Sequence, residues 1–257
     1  MDRKFQDGLK VTLLGTGAPP PVMDRFGPCT LVEIGEEKFL FDAGRGAMQR
    51  LHQLKIPFAD VTGLFLTHHH SDHVVGFPDL WLTGWIGRPW GQREVPLRVW
   101  GPDGTKGMMS HLAEAYKVDI RVRRNNYPPQ GVVLEVEEFM EGIVYDKNGV
   151  RITAFEVDHG SEFLPAYGFR IDHGGRSAVL SGDTTFNENL IHFSQGTDLL
   201  IHEVTGTPKD ILQETAQFQR ITENHTTPEQ AGEVFTRVRP KLAVYTHILL
   251  FGDTTPD

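Results

Sequence analysis

Gly63-Leu64-Phe65-Leu66-Thr67-His68-His69-His70-Ser71-Asp72-His73 carries an apolar, strand-like run straight into three metal-competent imidazoles, His68, His70 and His73, and one carboxylate, Asp72. A rigid strand that empties into a ligand-dense loop holds metal ions at an open, reactive edge. Four donors this close can hardly all reach one tetrahedral centre, so two ions are expected rather than one. Imidazoles and carboxylates without a thiolate suit Zn²⁺, with Mn²⁺ or Fe as substitutes. His69 is read as spacing, its side chain turned away from its ligating neighbours.

Outward from that loop, short strand-like and helical runs alternate. Residues 11–14, 30–34, 38–41, 61–66 and 97–100 read as strands, as do 120–123, 132–136, 150–157, 167–171, 177–180, 198–202 and 242–245. Helical spacing marks 46–54, 106–116, 187–193 and 208–218, while 74–86 reads as a buried helix or irregular wall. Thr227-Pro228-Glu229-Gln230 combines a capping Thr, a first-turn Pro and a Gln that can close a capping box, opening a helix to about residue 238. Four of the strands end in a metal-type residue: His68, His159, Asp183 and His247. Scattered core histidines would not respect that rule.

The chain has 257 residues, enough to bury a sizeable core as one large domain, 1–257. A 39% hydrophobic and 23% charged composition is that of a soluble globular protein. The net charge of −9 repels a polyanion unless a local basic patch exists. The one cysteine, Cys29, excludes an intrachain disulfide and fits a reducing compartment. The first ten residues lack a signal-peptide core, and no apolar run approaches the ~20 residues of a membrane helix. A cytoplasmic protein with no membrane partner is expected.

The motifs stand in a familiar order. Thr67-His68-x-His70-x-Asp72-His73, Asp158-His159-Gly160, Ser181-Gly182-Asp183-Thr184 and Tyr245-Thr246-His247, with Asp42 in Phe41-Asp42-Ala43-Gly44, resemble the metallo-β-lactamase superfamily over nearly the whole chain. The resemblance implies an α/β (α+β) fold, a four-layer αβ/βα sandwich with metals at one edge. It implies that His68, His70 and His159 hold one Zn²⁺, that Asp72, His73 and His247 hold a second, and that Asp183 bridges them. Asp42 is read as structural or as an outer hydrogen-bond acceptor. Two cations would bring the pKa of a shared water near neutrality and make hydroxide the nucleophile. Asp72 would then orient it or take its proton.

Within the superfamily the chain is most similar to ribonuclease Z and its arylsulfatase-like relatives, through Leu14-Gly15-Thr16-Gly17-Ala18-Pro19, Ala166-Tyr167-Gly168-Phe169-Arg170, Leu200-Ile201-His202-Glu203 and Asn224-His225-Thr226-Thr227. That resemblance implies that Glu203 orients His225 and that His225 protonates the leaving oxygen. Phosphodiester cleavage leads, with aryl sulfates, lactones, other carboxylic esters and β-lactams as alternatives on the same dimetal site. An iron redox member or a non-catalytic member is the remaining alternative. Only 23 residues, 160–182, separate the motifs of His159 and Asp183, too few for the arm with which ribonuclease Z grips transfer RNA. A small-molecule ester or phosphodiester is therefore the expected substrate, with tRNA disfavoured by the missing arm and the charge. Many relatives are dimers, so a homodimer is expected. His202 is read as a partner behind the ligands, and Trp81, Trp85 and Trp90, with Phe163 and Phe186, as core packing or as an apolar substrate wall.

Overall fold

The computed structural model describes residues 8–87, 91–160, 165–208 and 216–251. Twelve strands form two six-stranded sheets. The first holds β1 (Leu9–Gly15), β2 (Cys29–Ile34), β3 (Glu37–Phe41), β4 (Gly63–Phe65), β5 (Leu97–Gly101) and β6 (Leu134–Glu138), in that order. The second runs β7 (Gly142–Lys147), β8 (Val150–Val157), β9 (Ala166–His173), β10 (Arg176–Leu180), β11 (Leu199–Gly206) and β12 (Leu242–Leu250).

Period-two alternation sends the side chains of the central strands to two different cores. Phe39, Phe41, Phe65 and Trp100 point between the sheets, where Phe169, Ile171, Leu180 and Ile201 meet them. Leu40, Leu64 and Val99 point outward onto α1 (Ala47–Gln53), α3 (Phe77–Trp85) and α4 (Thr105–Ala115). On the far side, Phe155, Val179 and Leu200 receive α6 (Glu188–Phe193) and α8 (Pro228–Val238). The result is the expected four-layer αβ/βα sandwich. The helices complete their expected starts: Asn187 caps α6, and Thr227 with Gln230 closes a capping box on α8.

Residues 117–123 correct the strand expected at 120–123: they form a helix, α5 (Lys117–Arg123). Val118, Ile120 and Val122 alternate with charges as in a strand, yet Val118 and Val122 are exposed and no ladder takes them up. An i,i+4 pair, Arg123 Nε donating to Asp119 at 2.7 Å, supports the helix instead. The sequence reading also passed over β7. The signal was there in Asn148-Gly149, both at positive φ, the turn that joins β7 to β8. Of the two readings of the tryptophans, core packing is the one the structure supports. Trp81 and Trp85 are buried in α3, with ring N–H groups donating to the Val132 and Pro128 carbonyls, and face the core rather than a ligand. Trp90, Phe163 and most of the helix expected at 208–218 lie outside the described residues. Among the described residues no helix is long and apolar enough to cross a membrane.

Phe65 is the centre of the inner layer, stacked on Trp100 at 4.5 Å and on Phe41 at 5.2 Å, with its edge to Phe169. Phe65→Ala is expected to cost about 3–5 kcal/mol. Chemical denaturation measures this, and a loss below about 1 kcal/mol would show that the sheets do not depend on the stack.

Candidate metal centre

The seven donors picked out by sequence meet at one edge of the sandwich. His68 follows β4, and His70 stands at the N-terminus of the one-turn helix α2 (Ser71–Val74) that carries Asp72 and His73. His159 and Asp183 follow β8 and β10. His247 departs from expectation, because its strand does not end there: β12 runs on to Leu250. Glu203 pairs with Thr246 and Val204 with Ile248, leaving His247 as the extra residue of a bulge, at φ 43°. A bulge re-aims one side chain without ending the strand.

Asp183 is the meeting point. Its Oδ2 lies 3.1 Å from His247 Nε2, 3.2 Å from His73 Nε2, 3.8 Å from His68 Nε2 and 3.9 Å from His159 Nε2. His159 Nε2 and His70 Nδ1 converge at 3.3 Å, and Asp72 Oδ2 lies 3.3 Å from His247 Nε2. Two donor groups emerge, His68, His70, His159 and Asp183 in one and Asp72, His73 and His247 in the other, each with its ligand atoms within 4.8 Å. His225, with Asp183 and His247, makes a third such group.

The surrounding shell fixes which ring nitrogen faces inward. Asp42 Oδ1 accepts the Thr67 N–H, and its Oδ2 accepts the Thr67 hydroxyl at 2.9 Å and His73 Nδ1 at 2.7 Å. Thr67 Oγ1 in turn faces His68 Nδ1 at 2.9 Å, and His159 Nδ1 donates to the Asn224 carbonyl at 2.8 Å. With Nδ1 bonded outward, the Nε2 of each of these rings faces the centre. The Nε2 atoms of His68 and His73 are buried and have no hydrogen-bond partner. A cation fits this set of donors: inward-facing imidazole nitrogens, buried carboxylates, and no lysine or arginine paired with them among the described residues. Thr67 and the Asn224 carbonyl were not singled out from sequence as supports, although both sit inside quoted motifs.

Asp42 sits at φ 60°, a left-handed conformation that a short polar side chain tolerates. Backbone packing holds it. Ala43 N–H donates to the His73 carbonyl at 2.7 Å, and a Cβ on Gly44 would lie 2.7 Å from the Asp72 carbonyl oxygen. Only glycine fits between these chains. His69 turns away to Thr105 Oγ1 at 2.8 Å. His202 also faces away from the donors: its Nδ1 donates to the Glu203 carbonyl, and its ring edges Phe235.

Electrostatics follow the geometry. Burial lifts the Asp183 carboxyl, but His247 and His73 outweigh it and hold its pKa well below the usual carboxylate range. Burial disfavours charge on His73, yet Asp183 and Asp42 keep its pKa well above the usual histidine range. Burial, reinforced by His73, drives His68 well below that range. Burial also lowers His225, but the Glu203 carboxylate, 2.8 Å from its Nδ1, reverses this and lifts it to about 9. Glu203 is fully buried, and the same oxygen accepts the Thr184 N–H at 3.0 Å.

A family model described as a beta-lactamase superfamily domain matches residues 37–248, and the chain belongs to that superfamily. It is 36% identical over 247 residues to a protein named Ribonuclease Z from Mycolicibacterium gilvum, a match covering 93% of this chain and 84% of that one. A Ribonuclease Z from Mycobacterium marinum matches at 36% over 93% of this chain and 86% of its own length. Among solved structures, the metallo-beta-lactamase fold protein YhfI from Bacillus subtilis superposes with a TM-score of 0.74 at 21% identity, covering 95% of this chain and 88% of that chain. The short form of human tRNase Z gives 0.73 at 23% identity, covering 94% and 95%.

Asp42→Ala removes the acceptor of His73 Nδ1 and is expected to weaken metal affinity about 10- to 100-fold. Zinc titration against a competing chelator measures this. An unchanged affinity would show that Asp42 does not set the orientation of His73.

Proposed function

We propose that this superfamily member, a metal-dependent hydrolase, cleaves phosphodiester bonds at a dinuclear zinc centre. His68, His70 and His159 would hold one ion, and Asp72, His73 and His247 the other, with Asp183 between them. When bound, the ions supply Lewis acidity that acidifies water and neutralises charge on the phosphoryl oxygens. The catalytic roles left to side chains are those of Asp72, Glu203 and His225. Asp72 is buried, which raises its pKa, but the hydrogen bond from His247 and the charge of His73 prevail and keep it low. It stays ionised and accepts a hydrogen bond from the attacking water.

The observation that carries the diester reading is the Glu203–His225 pair. His225 has its Nδ1 tied to a fully buried carboxylate, and its ring lies 4.8 Å from that of His159 and 5.5 Å from that of His247. Its Nε2 is thereby free to give a proton at the centre. An alkoxide leaving group needs that proton, whereas a nitrophenolate does not. The likeness to proteins named Ribonuclease Z supports the same chemistry. Small esters, aryl sulfates included, are the second reading, favoured by the apolar wall of the cavity that the donors face.

His225→Ala is expected to slow hydrolysis of alkyl phosphodiesters about 10²- to 10⁴-fold while costing nitrophenyl diesters far less. Equal losses on both would remove the proton-donor role. A panel of bis-nitrophenyl phosphate, aryl sulfate, lactone, β-lactam and precursor tRNA, with and without Zn²⁺ or Mn²⁺, separates the readings. A chain that turns over the sulfate but no diester would overturn the leading one.

A further inference from the structure

The cavity in front of the donors has a volume of about 500 Å³, the size of a small-molecule site. His70, Asp72, His159, Asp183, His225 and His247 line it. Pro19, Pro20, Ile221, Leu249 and Phe251 also line it, a set with no charge. Phe218 packs edge-on against Phe251 at 5.1 Å. Beside Gly160, the rest of the lining comes from the helix α7 (Ala216–Glu223) and the residue after it. Gln217, Arg220, Ile221 and Asn224 are spaced i, i+3, i+4 and i+7, so they share one helical face, and all four line the cavity. This face belongs to no core, since none of the α7 side chains is buried. Its position is tied to the donors, because the Asn224 carbonyl holds His159 and the Asn224 N–H bonds back to the Arg220 carbonyl at 3.2 Å.

Arg220 is the one lysine or arginine among the described lining residues. It is exposed, and its guanidinium makes no ion pair with a described carboxylate. On a chain of net charge −9, anions are repelled at long range, so one guanidinium inside the mouth sets the local sign. A planar fork of donors suits a carboxylate or phosphate.

We infer that Arg220 is a specificity-determining residue that binds a second anionic group, on the far arm of a compact phosphodiester. The apolar part of that arm lies on the wall formed by Pro19, Pro20, Leu249 and Phe251. The identity of the phosphoryl end rests on the phosphodiesterase reading; the anionic arm rests on Arg220 alone.

Binding of non-hydrolysable benzyl(methyl)phosphinates, with both carbons bonded directly to phosphorus, to the zinc-loaded protein tests this by calorimetry. The benzyl ring carries a para carboxylate, a phosphonate or a neutral methyl ester. The charged arms are expected to bind about tenfold tighter than the ester, the scale of one charge-assisted hydrogen bond at an open site. Arg220→Ala should erase the difference and Arg220→Glu should invert it; the position is exposed on α7, so the fold tolerates both substitutions. A preference for one charged arm over the other identifies carboxylate or phosphate as the group recognised. Equal affinity for all three arms, or a preference that survives Arg220→Ala, overturns the inference. Failure to hydrolyse any diester, with the arm preference intact, would instead remove the phosphodiesterase reading and leave Arg220 in its role.

Discussion

Three buried carboxylates, Asp42, Asp72 and Asp183, converge at one edge of the sandwich, and no lysine or arginine among the described residues neutralises them. Burying such charges without compensation costs several kcal/mol each. Only imidazoles are near enough to respond, and four of them lie within 3.9 Å of one oxygen of Asp183. The arrangement is stable when positive charge enters the cluster, as protons on histidine or as metal ions. That demand explains why the outward ring nitrogens are bonded to Asp42, Thr67 and the Asn224 carbonyl, while the inward Nε2 atoms of His68 and His73 have no hydrogen-bond partner.

The same edge stores backbone strain. Asp42 and His247 both adopt positive φ, and each conformation of this kind costs of order 1–3 kcal/mol. Neither is a free turn. Asp42 is held by the glycine-packed turn against α2, and His247 by the ladder on either side of its bulge and by Ile248 N–H donating to the Thr16 carbonyl at 2.8 Å. The rigid layers beneath, centred on Phe65, make such positions affordable by over-determining the backbone around them.

Much of this was legible in the chain. The strand pattern with its turns and the capping box at Thr227 each rest on local chemistry, which acts over a few residues and leaves a local signature. The order of the His and Asp motifs pointed to the fold through resemblance. Local pattern misled at residues 117–123, where alternation alone favoured a strand and no neighbouring ladder was there to accept it.

Sequence alone thus determined which residue types gather at the candidate site and which elements deliver them. Tertiary structure decided how they face one another. The bulge at His247 exists only in the pairing of β12 with β11, Trp81 and Trp85 are spent on the core, and α7 places Arg220 in the lining of the cavity that the donors share. Each of these depends on contacts between residues far apart in the chain, and periodicity within one segment cannot report a contact made by another.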